Sequence, residues 1–171
     1  APERETGPQR DTVLGLEAAA AQATSVTPAE LAAALTGANP PAVLHVGSSR
    51  EYERRHVPAS LWLPRAYLEL LAAEHLPDHA APVVLTCNDG VQSTLAAAAL
   101  TGLGYQHVQV LDGGLGAWAA AGQALATGPE RLALEPKDFV RAGTERDVAA
   151  MIYYLEWEEA LGRKYEAGAE A

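Results

Sequence analysis

The sequence contains one cysteine, Cys87, at a position where a thiol can react. It directly follows the apolar segment 82–86 (PVVLT), and the loop 87–93 (CNDGVQS) leads into a helical pattern. Ligands of open α/β sheets bind at the carboxyl ends of strands. A short turn there can direct backbone N–H groups toward the sulfur, and the following helix adds the positive end of its dipole. Both effects favour the nucleophilic thiolate, so the loop predicts a reactive cysteine; an inert core cysteine is the alternative.

The residues predicted to bind the substrate are the rest of this loop and one arginine. They are Asn88, Asp89, Gly90, Val91, Gln92, Ser93 and Arg65. Gly90 permits the tight backbone path of the turn. Arg65 follows a second predicted strand, so it also lies at a carboxyl end, where a guanidinium can pair with anionic oxygens. The alternative for Arg65 is a surface ion pair with Glu69, four residues further on.

Helices and short apolar strands alternate along the chain, and this alternation predicts the fold. Strands are predicted at residues 42–46, 60–63, 82–86 and 107–111, and helices at 29–35, 48–55, 66–76, 92–103 and 115–121. Thr27 with Glu30, and Ser48 with Glu51, are typical capping boxes for two of these helices. Continuous apolar strands separated by helices indicate an α/β fold, with a parallel sheet of about five strands and helices on both faces.

Three regions follow from this pattern. Residues 1–24 are interpreted as a leader or linker, residues 25–125 as the α/β domain, and residues 126–171 as a connector and a C-terminal helix. The helix is predicted over residues 145–164, and its apolar stripe is wide. Such a stripe must pack either on the same chain or on a partner.

Composition limits the classes of function. The 171 residues are enough for one domain with a real core, and the formal net charge of −10 argues against a nucleic-acid partner. We expect no membrane partner and no secretory signal, since neither apolar pattern is present. A single cysteine excludes an internal disulfide and a multi-cysteine metal site. A lone reduced thiol is typical of a cytoplasmic protein.

Three segments in combination resemble the rhodanese-like sulfurtransferases. The pattern Cys-x-x-Gly-x-x-Ser at 87–93 resembles the active-site loop of that family. Residues 50–52 (REY) followed by 56–58 (HVP) resemble its acidic-aromatic pair and its Gly-His-Ile-Pro-Gly-Ala segment. Residues 111–118 (LDGGLGAW) resemble its strand-to-helix signature. Their order and spacing agree over about residues 25–125.

The resemblance implies a sulfurtransferase that needs no metal or organic cofactor. Cys87 would take a sulfane sulfur from thiosulfate or a persulfide donor, hold it as a persulfide, and pass it to cyanide or a thiol. Arg65 resembles the arginine of a Leu-Pro-Arg stretch in tandem-domain members. The tail at 145–165 is similar to the helix that ends the final module of tandem-domain thiosulfate sulfurtransferases. The implied partners are a small-molecule sulfur donor and a thiol acceptor, with neighbouring modules of this family or a second copy as further candidates.

Two departures from the family pattern leave a second function open. The family often has Asp-Val-Arg where this chain has His45-Val46-Gly47. Thiosulfate-specific members often have a basic residue inside the active loop, whereas the loop of this chain has no positive charge and contains Asp89. A dianionic donor 4 Å from a carboxylate meets a repulsion of about 1–4 kcal/mol. The alternative is therefore a non-catalytic binding or regulatory module. A cysteine phosphatase is disfavoured, because the arginine that clamps phosphate would stand six residues after the cysteine, at Ser93.

Two histidines are assigned structural roles. His56, next to Val57 and Pro58, is interpreted as a turn histidine that bonds to the backbone. His45, at the end of a predicted strand, is expected to be a sheet-edge histidine with its hydrogen bonds satisfied.

Overall fold

The fold is described from a computed structural model. The structure describes residues 13–138 and 148–168. The chain falls into two compact units that divide after Pro136. The first unit contains the sheet and the predicted reactive loop at residues 87–93, and the second contains one long helix.

Five strands form one parallel sheet in the order β1-β5-β4-β2-β3. The strands are β1 (Thr24–Val26), β2 (Ala42–His45), β3 (Leu61–Trp62), β4 (Val83–Thr86) and β5 (Val108–Leu111). The predicted α/β fold is confirmed, and four of its strands were predicted. The additional strand, β1, pairs with β5 in the register Thr24 to Gln109. It lies in and next to the region that was interpreted as a linker.

Within residues 13–136 of the first unit, six α-helices surround the sheet. They are α1 (Leu16–Gln22), α2 (Pro28–Leu35), α3 (Ser49–Arg54), α4 (Leu68–His75), α5 (Val91–Gly102) and α6 (Gly114–Ala120), with a 3-10 turn at Arg65–Tyr67 before α4. Both predicted capping boxes are present, at the starts of α2 and α3. Helix α1 lies in the predicted leader, whose alanine-rich residues 11–23 are compatible with a helix of weak apolar face; in the structure it packs against α5 and buries Ala19.

Alternate residues of the central strands enter two separate hydrophobic clusters. In β4, Val83 and Leu85 belong to one cluster and Val84 belongs to the other. The first cluster includes residues of α4 and α5, and the second includes residues of α2 and α6. A strand points successive side chains to opposite faces. The sheet is therefore covered by helices on both sides, as the apolar character of β4 predicts.

Part of the predicted connector also belongs to the first unit. Trp62 N–H donates to the Arg131 carbonyl at 2.8 Å, and Ala133 N–H donates to the Trp62 carbonyl at 2.9 Å. His56 and Ala126 exchange two backbone hydrogen bonds of 2.9 Å. Residues 126–133 therefore run along the outer side of β3.

The second unit contains α7 (Val148–Gly168). This agrees with the predicted helix except at residues 145–147, which lie outside the described residues. Arg163 and Glu159 form an i,i+4 ion pair of 3.4 Å on it. The expectation that its apolar stripe packs on the same chain or on a partner stays a prediction. Across the residues that the structure describes, no helix is both long and apolar enough to cross a bilayer.

Candidate active site

Cys87 lies at the carboxyl end of β4, directly before the loop that leads into α5. Its side chain is 1% exposed and belongs to the hydrophobic cluster on the α4 and α5 face. Gly90 has φ +88°, and α5 begins at the next residue. That left-handed conformation suits glycine, because it needs no Cβ to be accommodated. The sequence correctly predicted that the thiol lies at the strand end, but it did not predict that the thiol is buried beneath the loop.

Ser93 makes two contacts with the sulfur. Its backbone N–H donates to Cys87 Sγ at 3.4 Å, and its Oγ lies 3.4 Å from the same atom. Ser93 Oγ is also 3.1 Å from the Gly90 carbonyl. The single hydroxyl hydrogen can point at either the carbonyl or the sulfur. Ser93 can therefore donate two hydrogen bonds to a negative charge on the sulfur, from the first turn of α5.

The side chain of Asp89 binds a loop amide that was expected to point at the sulfur. Its Oδ1 accepts the N–H of Val91 at 3.1 Å and lies 3.8 Å from Cys87 Sγ. Of the backbone amides in the part of the chain that the structure describes, only that of Ser93 donates a hydrogen bond to the sulfur. The expectation that several amides point at the thiol is therefore wrong for this loop. The reason is local: an aspartate readily binds the N–H two residues ahead of it.

A cleft of about 530 Å³ opens beside the loop. It brings together four of the predicted substrate-binding residues, namely Arg65, Asp89, Val91 and Gln92, and Gly47 and Glu51 also line it. The other predicted loop residues do not line the cleft: Asn88 turns its side chain toward α3, Gly90 forms the turn, and Ser93 is buried.

Arg65 is placed as a cleft residue. Within residues 13–138 it forms no ion pair with Glu69, and its Nε is buried without a hydrogen-bond partner. Its backbone N–H donates to the Val46 carbonyl at 3.1 Å, which fixes it at the end of β2. A guanidinium held there is suited to bind an anionic group of a ligand in the cleft.

Two residues that the sequence does not assign to the site contact the side chain of Asn88 in the loop. Arg55 donates from Nε and Nη2 to Asn88 Oδ1, at 3.3 and 2.8 Å. Asn88 Nδ2 in turn donates to Glu51 Oε1 at 3.1 Å. The capping box of Ser48 with Glu51 predicted the start of α3, but no local pattern links Arg55 to a side chain 33 residues away.

The backbone of the loop also approaches α6 closely. Leu115 N–H donates to the Cys87 carbonyl at 3.0 Å. A Cβ on Gly114 would lie 2.7 Å from that carbonyl oxygen and 2.8 Å from the Asn88 carbonyl oxygen. Gly114 also has φ +59°, a conformation that side chains disfavour. Glycine is therefore needed at this point of contact between α6 and the loop.

A buried histidine lies behind the cleft. His45 is fully buried, and within residues 13–138 neither of its ring nitrogens has a hydrogen-bond partner. Burial, with a smaller contribution from the charge of His56, lowers the pKa of His45 to about 4. The expectation of a satisfied edge histidine is therefore wrong. The role of His56 is confirmed, since its Nδ1 is 2.7 Å from the Tyr52 carbonyl.

The family comparison agrees with this geometry. Residues 27–121, more than half of the chain, match the profile of the rhodanese-like domain.

Solved structures of several proteins are similar to this chain. Thiosulfate sulfurtransferase from Pseudomonas aeruginosa has a TM-score of 0.71 and 35% identity, over 82% of this chain and 27% of that protein. A protein of unknown function and possible tyrosine phosphatase from Rhodopseudomonas palustris has a TM-score of 0.60 and 25% identity, over 74% of this chain and 99% of that one. A protein from Anabaena sp. shares the fold, with a TM-score of 0.56 and 24% identity over 60% of this chain and 81% of that one. This chain thus spans about a quarter of the length of the Pseudomonas protein.

Gly114→Ala tests the contact between α6 and the loop. We expect a loss of about 2–5 kcal/mol in the free energy of unfolding, because the new Cβ meets two carbonyl oxygens and φ is positive. Gly116→Ala is the matched control on the same helix, since a Cβ there meets nothing within 4 Å. The control should change stability by no more than about 1 kcal/mol, in the stabilising direction. Equal effects in denaturant titrations would contradict the assignment.

The buried His45 predicts a pH-dependent stability. In the unfolded chain this imidazole takes up a proton near pH 6.5, whereas in the folded chain it does so only near its pKa of about 4. Its contribution is therefore complete above pH 6.5, falls as the pH drops toward 4, and amounts to about 3 kcal/mol in total. His45→Phe should flatten this part of the curve, and His107→Phe, at an exposed histidine, should leave it unchanged. A curve of unchanged slope in His45→Phe would disprove the assignment.

Proposed function

Because the chain belongs to the rhodanese-like domain family, we propose that it is a sulfurtransferase that carries sulfur on Cys87. The observation that carries this proposal is the position of the thiol. Its Sγ lies at the carboxyl end of β4, within 3.4 Å of both the N–H and the Oγ of Ser93. These two donors can stabilise negative charge on Sγ in the thiolate, which is the form of Cys87 that attacks the sulfur donor.

The first step loads the cysteine. The Cys87 thiolate attacks the outer sulfur of thiosulfate, a new S–S bond forms, the sulfur–sulfur bond of the donor breaks, and sulfite leaves with the bonding electron pair. With a persulfide donor, the attack transfers the terminal sulfur and its hydrogen, and the donor leaves as a thiolate. In both cases Cys87 becomes a persulfide. Covalent catalysis of this kind splits one transfer into two easier steps.

The second step returns the cysteine to its starting form. Cyanide or a thiolate attacks the terminal sulfur of the Cys87 persulfide, the S–S bond breaks, and the electron pair returns to Sγ as the thiolate. Cyanide leaves as thiocyanate, and a thiol leaves as a persulfide. The reaction needs no external oxidant or reductant, because the sulfane sulfur is passed on without a net change in its oxidation state.

The charges of the cleft favour a weakly charged donor. The Asp89 carboxylate lies 3.8 Å from Sγ, where it repels an incoming anion by about 1–4 kcal/mol. Arg65 lines the same cleft and offsets part of this repulsion. Thiosulfate carries two negative charges, whereas a persulfide of a small thiol carries at most one at its reacting end. We therefore infer that a small persulfide loads Cys87 faster than thiosulfate does.

One observation favours the alternative, a non-catalytic binding module. Cys87 is 1% exposed and does not line the cleft, so a donor reaches it only if the loop around Asp89 moves. Under this alternative, the cleft binds a ligand and the thiol stays unmodified. A phosphatase is a poorer fit, because Ser93 occupies the position of the phosphate-binding arginine and its amide and hydroxyl face the sulfur.

Sulfur loading of the purified protein tests the proposed function. After incubation with thiosulfate or a small-molecule persulfide, intact mass spectrometry should detect the gain of one sulfur atom, and cyanide should remove it as thiocyanate. The chain has one cysteine, so the added atom can be assigned to Cys87 without further mapping. Cys87→Ser should fold normally and gain no sulfur. A wild-type protein that is not loaded by any donor would favour the binding module.

Asp89→Asn tests the role of loop charge. The amide still accepts the Val91 N–H, but the repulsion is removed, so we expect loading by thiosulfate to become at least about fivefold faster. Asp78→Asn is the matched control: Asp78 Oδ1 also accepts the N–H two residues ahead, from Ala80 at 2.8 Å, but does not line the cleft. Loading by an uncharged persulfide should change much less. Equal rates in Asp89→Asn and wild type would contradict this role of Asp89.

A further inference from the structure

We propose that Arg55 is a positioning residue for the reactive loop and acts through the side chain of Asn88. This inference rests on the proposed function, because its consequence is a change in the rate at which Cys87 takes up sulfur. Asn88 is the residue next to the thiol, so whatever fixes its side chain also fixes the start of the loop.

The Asn88 amide is held at both ends. Its Oδ1 accepts two hydrogen bonds from the Arg55 guanidinium, of 2.8 and 3.3 Å, and its Nδ2 donates to Glu51 Oε1 at 3.1 Å. Glu51 is itself fixed, because its Oε2 accepts the Ser48 N–H at 2.9 Å in the capping box of α3. Hydrogen bonds to charged groups are stronger than neutral ones. Arg55 at the end of α3 and Glu51 near its capped start therefore both bind the side chain of Asn88.

The start of α6 also holds the loop, through contacts with its backbone. The Cys87 carbonyl accepts the Leu115 N–H at 3.0 Å, and the carbonyl oxygens of Cys87 and Asn88 both face Gly114. The backbone is thus held by α6 and the Asn88 side chain by α3. Removing Arg55 takes away both hydrogen bonds to Asn88 Oδ1 and leaves the Asn88 side chain held by Glu51 alone, so we expect its orientation to be less well fixed.

Orientation explains this arrangement better than net charge does. The Arg55 guanidinium and the Glu51 carboxylate bind opposite ends of the same amide, so their fields at the sulfur largely offset each other. The main effect of the two residues is therefore to fix the orientation of the Asn88 side chain.

A double-mutant cycle tests the proposal on the full chain. Arg55→Gln and Asn88→Ala should each lower the rate of Cys87 loading at saturating donor by about tenfold, with little change in the donor concentration that half-saturates loading. The double variant should be no slower than Asn88→Ala, because Arg55 acts through Asn88. Arg54→Gln is the matched control: Arg54 is the neighbouring, exposed arginine, and its loss changes the net charge by the same amount.

A second measurement is independent of sulfur transfer. Alkylation of Cys87 by iodoacetamide, an uncharged reagent, should become severalfold faster in Arg55→Gln and unchanged in Arg54→Gln, because a loosened loop uncovers a buried thiol. Thermal unfolding of the variants separates a local change from loss of the fold, and we expect melting temperatures close to that of the wild type.

The outcomes distinguish this inference from the proposed function. If the wild type is not loaded by any donor, the proposed function fails and the positioning role fails with it. If the wild type is loaded, and Arg55→Gln is loaded and alkylated at wild-type rates, only the role of Arg55 is overturned. Effects of Arg55→Gln and Asn88→Ala that multiply in the double variant would also overturn it, since Arg55 would then act independently of Asn88.

Discussion

The arrangement of the reactive loop depends on how closely its backbone approaches the start of α6. The carbonyl oxygens of Cys87 and Asn88 lie where a Cβ of residue 114 would be, and Leu115 N–H binds the first of them. This contact holds the end of β4 in place while the chain turns at Gly90 into α5. Ser93, in the first turn of α5, then has its backbone N–H 3.4 Å from the sulfur.

The parts of the fold that sequence predicts well are those governed by neighbouring residues. The capping boxes at Thr27 and Ser48 involve residues three positions apart, and the apolar run of β4 reflects burial on both faces. Strand β1 was missed because it has three residues, of which only Val26 is buried, and its partner β5 is far away in sequence. Short edge strands depend on their partner more than on their own composition.

In the candidate site, too, the features set by neighbouring residues can be predicted from sequence, whereas contacts between distant residues cannot. The position of Cys87 at a strand end follows from local pattern, and so does the cleft position of Arg65 after β3. The contact of Arg55 with Asn88 does not, because it joins residues 33 positions apart in sequence. The competition of Asp89 for the Val91 N–H is local in sequence, but an aspartate in a turn has several possible partners, and only the structure selects one of them.

The backbone bonds between residues 131–133 and Trp62 affect how this domain can be isolated. They cover the outer edge of a two-residue strand, whose N–H and carbonyl groups would otherwise be open to pairing with another chain. A truncation at residue 125, where the sequence pattern suggests a boundary, would remove that cover. The shortened protein would then present an unprotected sheet edge and become prone to self-association, so a usable recombinant fragment has to extend past Ala133.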